Sequence, residues 1–269
     1  MMDFLTKIVE HKKSEIEERK KLVSESKLIS QVKKDKRRFF MQSLSKPGPT
    51  GVNIIAEIKR ASPSKGILCP DLDPAKYAKD YEKGGAAAIS VLTDSTFFMA
   101  KQDDLAIVRK TTTLPVLRKD FTISSYQIYE TAAMGADAAL LIVRILSLNQ
   151  LKDYLVLCDE INLDALVEVN SEKELETASD AGARLIGINN RNLSSFDTDI
   201  NTAMHLSSLL NNEQIAVAAS AIADRKDIEK NLSFGVFNFL IGESLVKADN
   251  PANFLKSLMT PLKDGVLGK

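Results

Sequence analysis

From Val52 onward the chain alternates between two hydrophobic periodicities. Short apolar runs occur at Asn53–Lys59, Ala86–Leu92, Leu114–Lys119, Ala138–Val143, Asp164–Val169, Arg184–Asn189, Ile215–Ser220 and Phe237–Ile241. Their length and near-continuous apolar character predict strands buried on both faces of a parallel sheet. Between them lie amphipathic stretches with helical spacing: Pro74–Lys83, Gln102–Lys110, Ser124–Met134, Asn149–Glu160, Glu172–Ala181, Asn201–Leu210, Asp224–Leu232 and Pro251–Leu258. Gly85-Ala86, Gly135-Ala136, Gly182-Ala183 and Gly235-Val236 mark returns to a strand, where a left-handed helix cap is expected. Repeated β-α units of this kind, over roughly 200 residues, predict an α/β fold closed as a (β/α)8 TIM barrel. An open doubly wound sheet is the alternative, but no GxGxxG loop accompanies it.

Ahead of the barrel, residues 1–50 read as an N-terminal helical extension. Leu5, Ile8, Val9 and Ile16 mark the apolar face of a first helix, with charged residues opposite. A second helix is predicted over Lys27–Leu44, stopped by Lys46-Pro47-Gly48-Pro49. The basic run KKDKRRFF within it reads as a solvated helix face, a basic patch being the alternative. No linker interrupts the chain, so residues 1–269 are expected to form one domain.

Composition narrows the function. Lys and Arg number 36, as do Asp and Glu, and this zero formal charge gives no electrostatic reason for a nucleic-acid or membrane partner. The start of the chain, with an acid at Asp3, has no apolar run of leader length, and no window reaches the length of a membrane span. A cytoplasmic location is expected. Cys69 and Cys158 form neither a disulfide framework nor a zinc pattern. His11 and His205 are the only histidines, and His11 sits in a charged run that looks solvated. Acid-base chemistry must therefore come mainly from carboxylates and lysines.

Those groups gather at strand ends, where barrels of this type place their active sites. In IIAEIKRASPSKG, Ile55, Glu57 and Lys59 share one face before Ser62-Pro63-Ser64 breaks the strand. PVLRKDF puts Leu117, Lys119 and Phe121 on one face and Arg118 and Asp120 on the other. Glu168 is in phase with Leu166, Asn189 and Arg191 with Gly187, and AVAAS ends at Ser220. Each polar end has an ordinary reading as an ion pair or cap, but convergence from five strands on one face points to a site. After strands seven and eight, Ser220-Ala221 and Gly242-Glu243-Ser244 offer backbone N–H groups to a phosphate, with Ser62 and Lys59 able to close the same pocket. Capping chemistry explains the same residues equally simply.

The segments IAEIKRASPSKG, ISVLTDSTFF, LPVLRKDF, GADAALLI, LVEV, GINNRNL and LIGESL, in this order, resemble the indole-3-glycerol phosphate synthase family of tryptophan biosynthesis. The likeness spans nearly the whole chain, and LRKDF with INNRNL in one register is its specific part. It implies closure of an indole ring on 1-(2-carboxyphenylamino)-1-deoxyribulose 5-phosphate with loss of CO2 and water. It implies no metal and no organic cofactor. By motif, Lys119 is implied as general acid, with Glu168 and Lys59 as candidates for the opposing proton transfer. Glu57 would hold substrate hydroxyls and orient Lys59, and Asn189, with Arg191 beside it, would position hydroxyls or the anthranilate carboxylate. Phe98 and Phe121 would wall the aromatic ring. Ser62, Ser220, Ala221, Gly242 and Glu243 would ring the phosphate. The partner implied is a phosphorylated small molecule, with the protein a monomer or weak homo-oligomer.

Two positions depart from the family pattern. Where an ESGI run is usual the chain reads Ala219-Ser220-Ala221-Ile222, and where FF-x-G-S is usual it reads Phe98-Met99-Ala100-Lys101. If position 221 requires a positive φ, alanine there costs about 1 kcal/mol or more. Two other readings accommodate the same sequence. One is a catalytically impaired relative that binds a phosphosugar or serves as a subunit; the other is an Amadori isomerase acting on a related anthranilate. The isomerase would need a Cys/Asp-type pair, and neither cysteine falls at a strand end.

Overall fold

The computed structural model describes residues 4–33, 37–192 and 197–261; Asp3, the centre of the basic run (34–36) and the last residues of the expected domain (262–269) lie outside them. Eight parallel strands close into a barrel: β1 (Asn53–Ile58), β2 (Ala88–Leu92), β3 (Val116–Lys119), β4 (Ala138–Ile142), β5 (Asp164–Val169), β6 (Leu185–Asn189), β7 (Ile215–Ala219) and β8 (Asn238–Ile241). β1 pairs with both β2 and β8, which closes the ring. Each strand lies within two residues of its predicted range.

The period-two pattern separates two cores. Ile55, Leu117, Leu140, Leu166, Val217 and Leu240 fill the barrel interior. Ile54, Ala56, Ile89, Val91, Val167, Ile186 and Phe239 face outward and pack under the helices. Each of the larger of these side chains, fully buried, contributes roughly 1.5–3 kcal/mol. The helices begin on side-chain caps the sequence supplies, such as Asp73, Ser147, Ser171 and Asp224. They return to strands through Gly85, Gly135, Gly182 and Gly235, all with φ between 79° and 91°, a region open to glycine at little cost.

The N-terminal extension departs from its prediction. Its first helix, α1, spans Phe4–Leu22 and its second, α2, only Glu25–Gln31; a four-residue helix follows at Phe40–Ser43. The continuous helix predicted over Lys27–Leu44 is absent because its basic run has better partners than solvent. Arg37 donates to the carbonyls of Ala132 and Ala136, at and just past the end of the helix Ser125–Ala133. Arg38 donates to the carbonyls of Leu114 (2.7 Å) and Arg109 (3.2 Å), and its backbone N–H reaches Asp137 at 2.7 Å. Carbonyls at helix ends lack intrahelical partners, and a guanidinium satisfies them well. Arg37 and Arg38 are therefore a clamp, neither a solvated face nor a basic patch. Beyond it, Phe40 and Leu44, both fully buried, plug the barrel interior from the end where Met41 N–H meets Asp164 at the start of β5.

At the opposite end, α1 lies over the strand C-termini, and Leu5 and Ile8 join the interior core. Among its predicted apolar positions Val9 is only half-buried. The fourth buried position is Lys12, set at helical spacing between Ile8 and Ile16. His11, expected in solvent, is half-buried, with Nε2 2.9 Å from Thr96 Oγ1 and its ring edge-on to Phe97. No helix among the described residues is long and apolar enough to cross a membrane.

Candidate active site

A cavity of about 550 Å³ opens at the C-terminal ends of the strands. All thirteen predicted site residues line it: Glu57, Lys59, Ser62, Phe98, Lys119, Phe121, Glu168, Asn189, Arg191, Ser220, Ala221, Gly242 and Glu243. They converge because the pleat sends alternate residues inward, and at the last turn of each strand the inward position is no longer needed to fill the core.

Two Lys–Glu pairs form the floor. Lys59 Nζ lies 2.7 Å from Glu57 Oε1, and Lys119 Nζ lies 3.4 Å from Glu168 Oε2. Asn189 Nδ2 donates to the other oxygen of Glu168 at 3.0 Å, and Asn189 Oδ1 accepts from the Arg191 backbone at 3.0 Å. Burial pushes the Glu57 carboxyl up, but the ammonium groups of Lys59 and Lys119 outweigh it and hold the carboxyl below its usual range. Burial likewise works against charge on Lys119, and Glu168 with Glu57 reverses the sign, so its ammonium is held more firmly than usual. The floor thus keeps ammonium and carboxylate side by side in a poorly solvated place.

One wall is apolar. Phe98 and Phe121 face each other with centroids 6.1 Å apart, and Phe4, Leu5 and Ile8 of α1 complete it. Sequence reading missed the contribution of α1; its signal was an amphipathic helix with no partner in sequence proximity. The other wall comes from the loops after β7 and β8. Ser220 and Ala221 adopt φ of 65° and 57°, a left-handed conformation in two successive residues without glycine. The second asparagine of INNRNL, also missed, fixes this turn: Asn190 donates its side chain to the Ser220 carbonyl at 3.1 Å and its N–H to that of Ala219 at 2.8 Å. Beside it, after β8, Gly242 makes a close approach, since a Cβ there would sit 2.6 Å from Glu57 Oε1.

The strand-one loop does more than turn. Ala61–Ser62 pairs with Gly66–Ile67 as a small hairpin, which brings Ser62, Ser64 and Lys65 to the mouth. In the strand-two loop the left-handed residue is Met99, at φ 57°, rather than Ala100. Neither Cys69 nor Cys158 reaches the cavity, so the Cys/Asp pair of an isomerase is not assembled there. Among the described residues no group of three or more His, Cys, Asp or Glu is placed to hold a metal ion.

The sequence matches the indole-3-glycerol phosphate synthase family model over residues 5–258. It is 52% identical over 262 residues to the indole-3-glycerol phosphate synthase of Desulfosudis oleivorans, covering 97% of this chain and all of that one. It is also 52% identical over 259 residues to that of Syntrophobacter fumaroxidans, covering 96% of this chain and 98% of that one. Among solved structures the thiamine phosphate pyrophosphorylase from Pyrococcus furiosus superposes with a TM-score of 0.58 at 15% identity, covering 77% and 93% of the two chains, which shows the shared barrel alone. With the match running from α1 through the last barrel helix, the chain belongs to the indole-3-glycerol phosphate synthase family.

Proposed function

We propose that this chain converts 1-(2-carboxyphenylamino)-1-deoxyribulose 5-phosphate to indole-3-glycerol phosphate, CO2 and water through the two Lys–Glu pairs of its floor. The observation that carries this is their joint placement between an apolar wall and the loops after β7 and β8. The anthranilate ring fits against Phe98, Phe121 and the α1 residues. The phosphate fits the amides of Ser220-Ala221 and Gly242-Glu243, with Ser62 across the mouth. This orientation sets the ketone carbon between ring and phosphate, over Lys119.

As the carboxylate-bearing ring carbon attacks that ketone, its oxygen becomes a hydroxyl by taking a proton from Lys119. A strongly held ammonium at that atom stabilises the developing negative charge. The C–C bond to the carboxylate then breaks, CO2 leaves, and the electron pair returns to the ring. The new hydroxyl departs as water with a second proton, while the opposing proton leaves the former amine arm. Glu168, oriented by Asn189, is placed to take that proton. In this reading Lys59, paired with Glu57, gives the second proton to the departing water. We place Glu57 and Asn189 on the substrate hydroxyls and carboxylate, with Arg191 supporting Asn189. A monomer or weak homo-oligomer in the cytoplasm, folded as one domain, is part of the same reading.

The test is a continuous fluorescence assay of indole product with Lys119→Ala as control. The parent turns over; the variant loses about 10²–10⁴-fold in kcat while melting within a few degrees of the parent. Near-normal turnover in the variant removes Lys119 from its role. Substrate binding without turnover in the parent replaces an enzyme with a binding protein.

A further inference from the structure

Lys12 is a charged residue that neither the sequence pattern nor the reaction explains. Its side chain is 1% exposed, within α1, on the stripe that otherwise carries Leu5, Ile8 and Ile16. Its ammonium lies 2.8 Å from each of three carboxylates: Asp94, Asp120 and Glu15. Two of these belong to the site's own scaffold. Asp94 is the N-cap of the short helix Ser95–Phe98, accepting from Phe97 N–H at 2.6 Å, and that helix carries the Phe98 wall. Asp120 directly follows Lys119, accepts from Phe121 N–H at 2.8 Å and from Thr93 Oγ1 at 2.6 Å, and pairs with Arg118. The network continues outward: Arg118 and Arg19 share Glu130. Through one ammonium, the helix that supplies Phe4, Leu5 and Ile8 is tied to the strand end that supplies Lys119 and Phe121.

We propose that Lys12 is a positioning residue for the ring-closure reaction: it seats α1 in the apolar wall of the site and fixes the strand end bearing Lys119. This rests on the reading of Lys119 as the proton donor. A buried charge is retained at a stability disadvantage relative to an apolar side chain on the same stripe, so its benefit lies elsewhere. Burial alone works against the Lys12 charge, and the two aspartates more than restore it. Without the ammonium, Asp94 and Asp120 are left facing each other in a dry place, and both the helix carrying Phe98 and the backbone after Lys119 must give.

The experiment compares Lys12→Met, which keeps the buried stem, with Lys12→Arg, which keeps the charge, in steady-state assays well below the melting temperature. Expected for Lys12→Met is a loss of tenfold or more in kcat with a smaller change in KM, because the phosphate loops on the far side are untouched. Lys12→Arg is expected to recover most of that loss. Parent-like kcat in a folded Lys12→Met protein overturns the proposal, as does equal loss in both variants that follows the fraction folded. If Lys12→Met does not fold, Asp94→Asn decides by the same kcat criterion, since an amide oxygen still caps Phe97. Lys119→Met run alongside separates the two readings. Turnover retained there refutes the Lys119 assignment. A dead Lys119→Met beside a parent-like Lys12→Met refutes only the role of Lys12.

Discussion

Ala221→Gly is a substitution whose sign follows from competing terms. Ala221 has φ of 57°, where an L side chain brings Cβ against the following carbonyl at about 1–2 kcal/mol. Glycine removes that strain, but it also enlarges the unfolded ensemble, which costs about 0.4–1 kcal/mol. The strain is the larger, so the variant should be more stable by about 0.5–1 kcal/mol. For a chain of this size that raises Tm by ~1–4 °C. The control is Ala216→Gly in β7, half-buried and without positive φ, which has no strain to relieve and should melt lower. Thermal melts of the three proteins read the effect without substrate. The assay then adds function: if the phosphate seats on this turn, a smaller residue lets it approach more closely and KM falls. A Tm lowered as far as in Ala216→Gly would refute the strain argument. A raised Tm with unchanged KM would keep the strain and remove the phosphate from this turn.

Two further outcomes follow from the same geometry. Gly242→Ala places a methyl 2.6 Å from Glu57 Oε1, the oxygen that holds Lys59, so Glu57 must rotate. Overpacking of this kind costs about 1–3 kcal/mol, and kcat should fall at least about tenfold, a factor worth ~1.4 kcal/mol; unchanged kcat would show that Gly242 is needed only for the loop. Asp120 is buried, which raises its pKa, but Arg118 and Lys12 hold it well below the ordinary 3.8. Its ion pairs therefore stabilise fully above that pH, and the contribution is lost as the pH falls below it. Denaturant melts of Asp120→Asn at pH 5 and pH 3 should show a smaller acid-side loss than the parent, and an equal loss would assign the acid lability to other carboxylates.

The barrel was legible because its signals are local and repeated. The strand Asp164–Val169 matched its predicted bounds and the others fell within two residues of theirs, since a short, largely apolar run between a helix cap and a polar strand end has few other solutions. The inward parity of Glu57, Lys119, Glu168 and Asn189 was legible for the same reason: in a strand, phase with a buried neighbour fixes direction. The first helix of the extension was legible from Leu5, Ile8 and Ile16, but its docking and the break in the second helix were not. Its charges find partners distant in sequence, such as Asp120 for Lys12 and the Leu114 carbonyl for Arg38, and periodicity carries no information about such partners.

The sequence by itself determined the number and order of the β-α units, the face each strand-end group presents, and the residue types available for acid-base work. Only the tertiary structure decided that α1 walls the cavity, that Lys12 is buried among three carboxylates, that Gly242 makes room for Glu57, and that the left-handed turn falls on Ser220 and Ala221. The physical reason is one of range. Backbone alternation and capping act between neighbours in sequence, whereas burial of a charge and the approach of one side chain to another backbone depend on elements that meet only when the barrel closes.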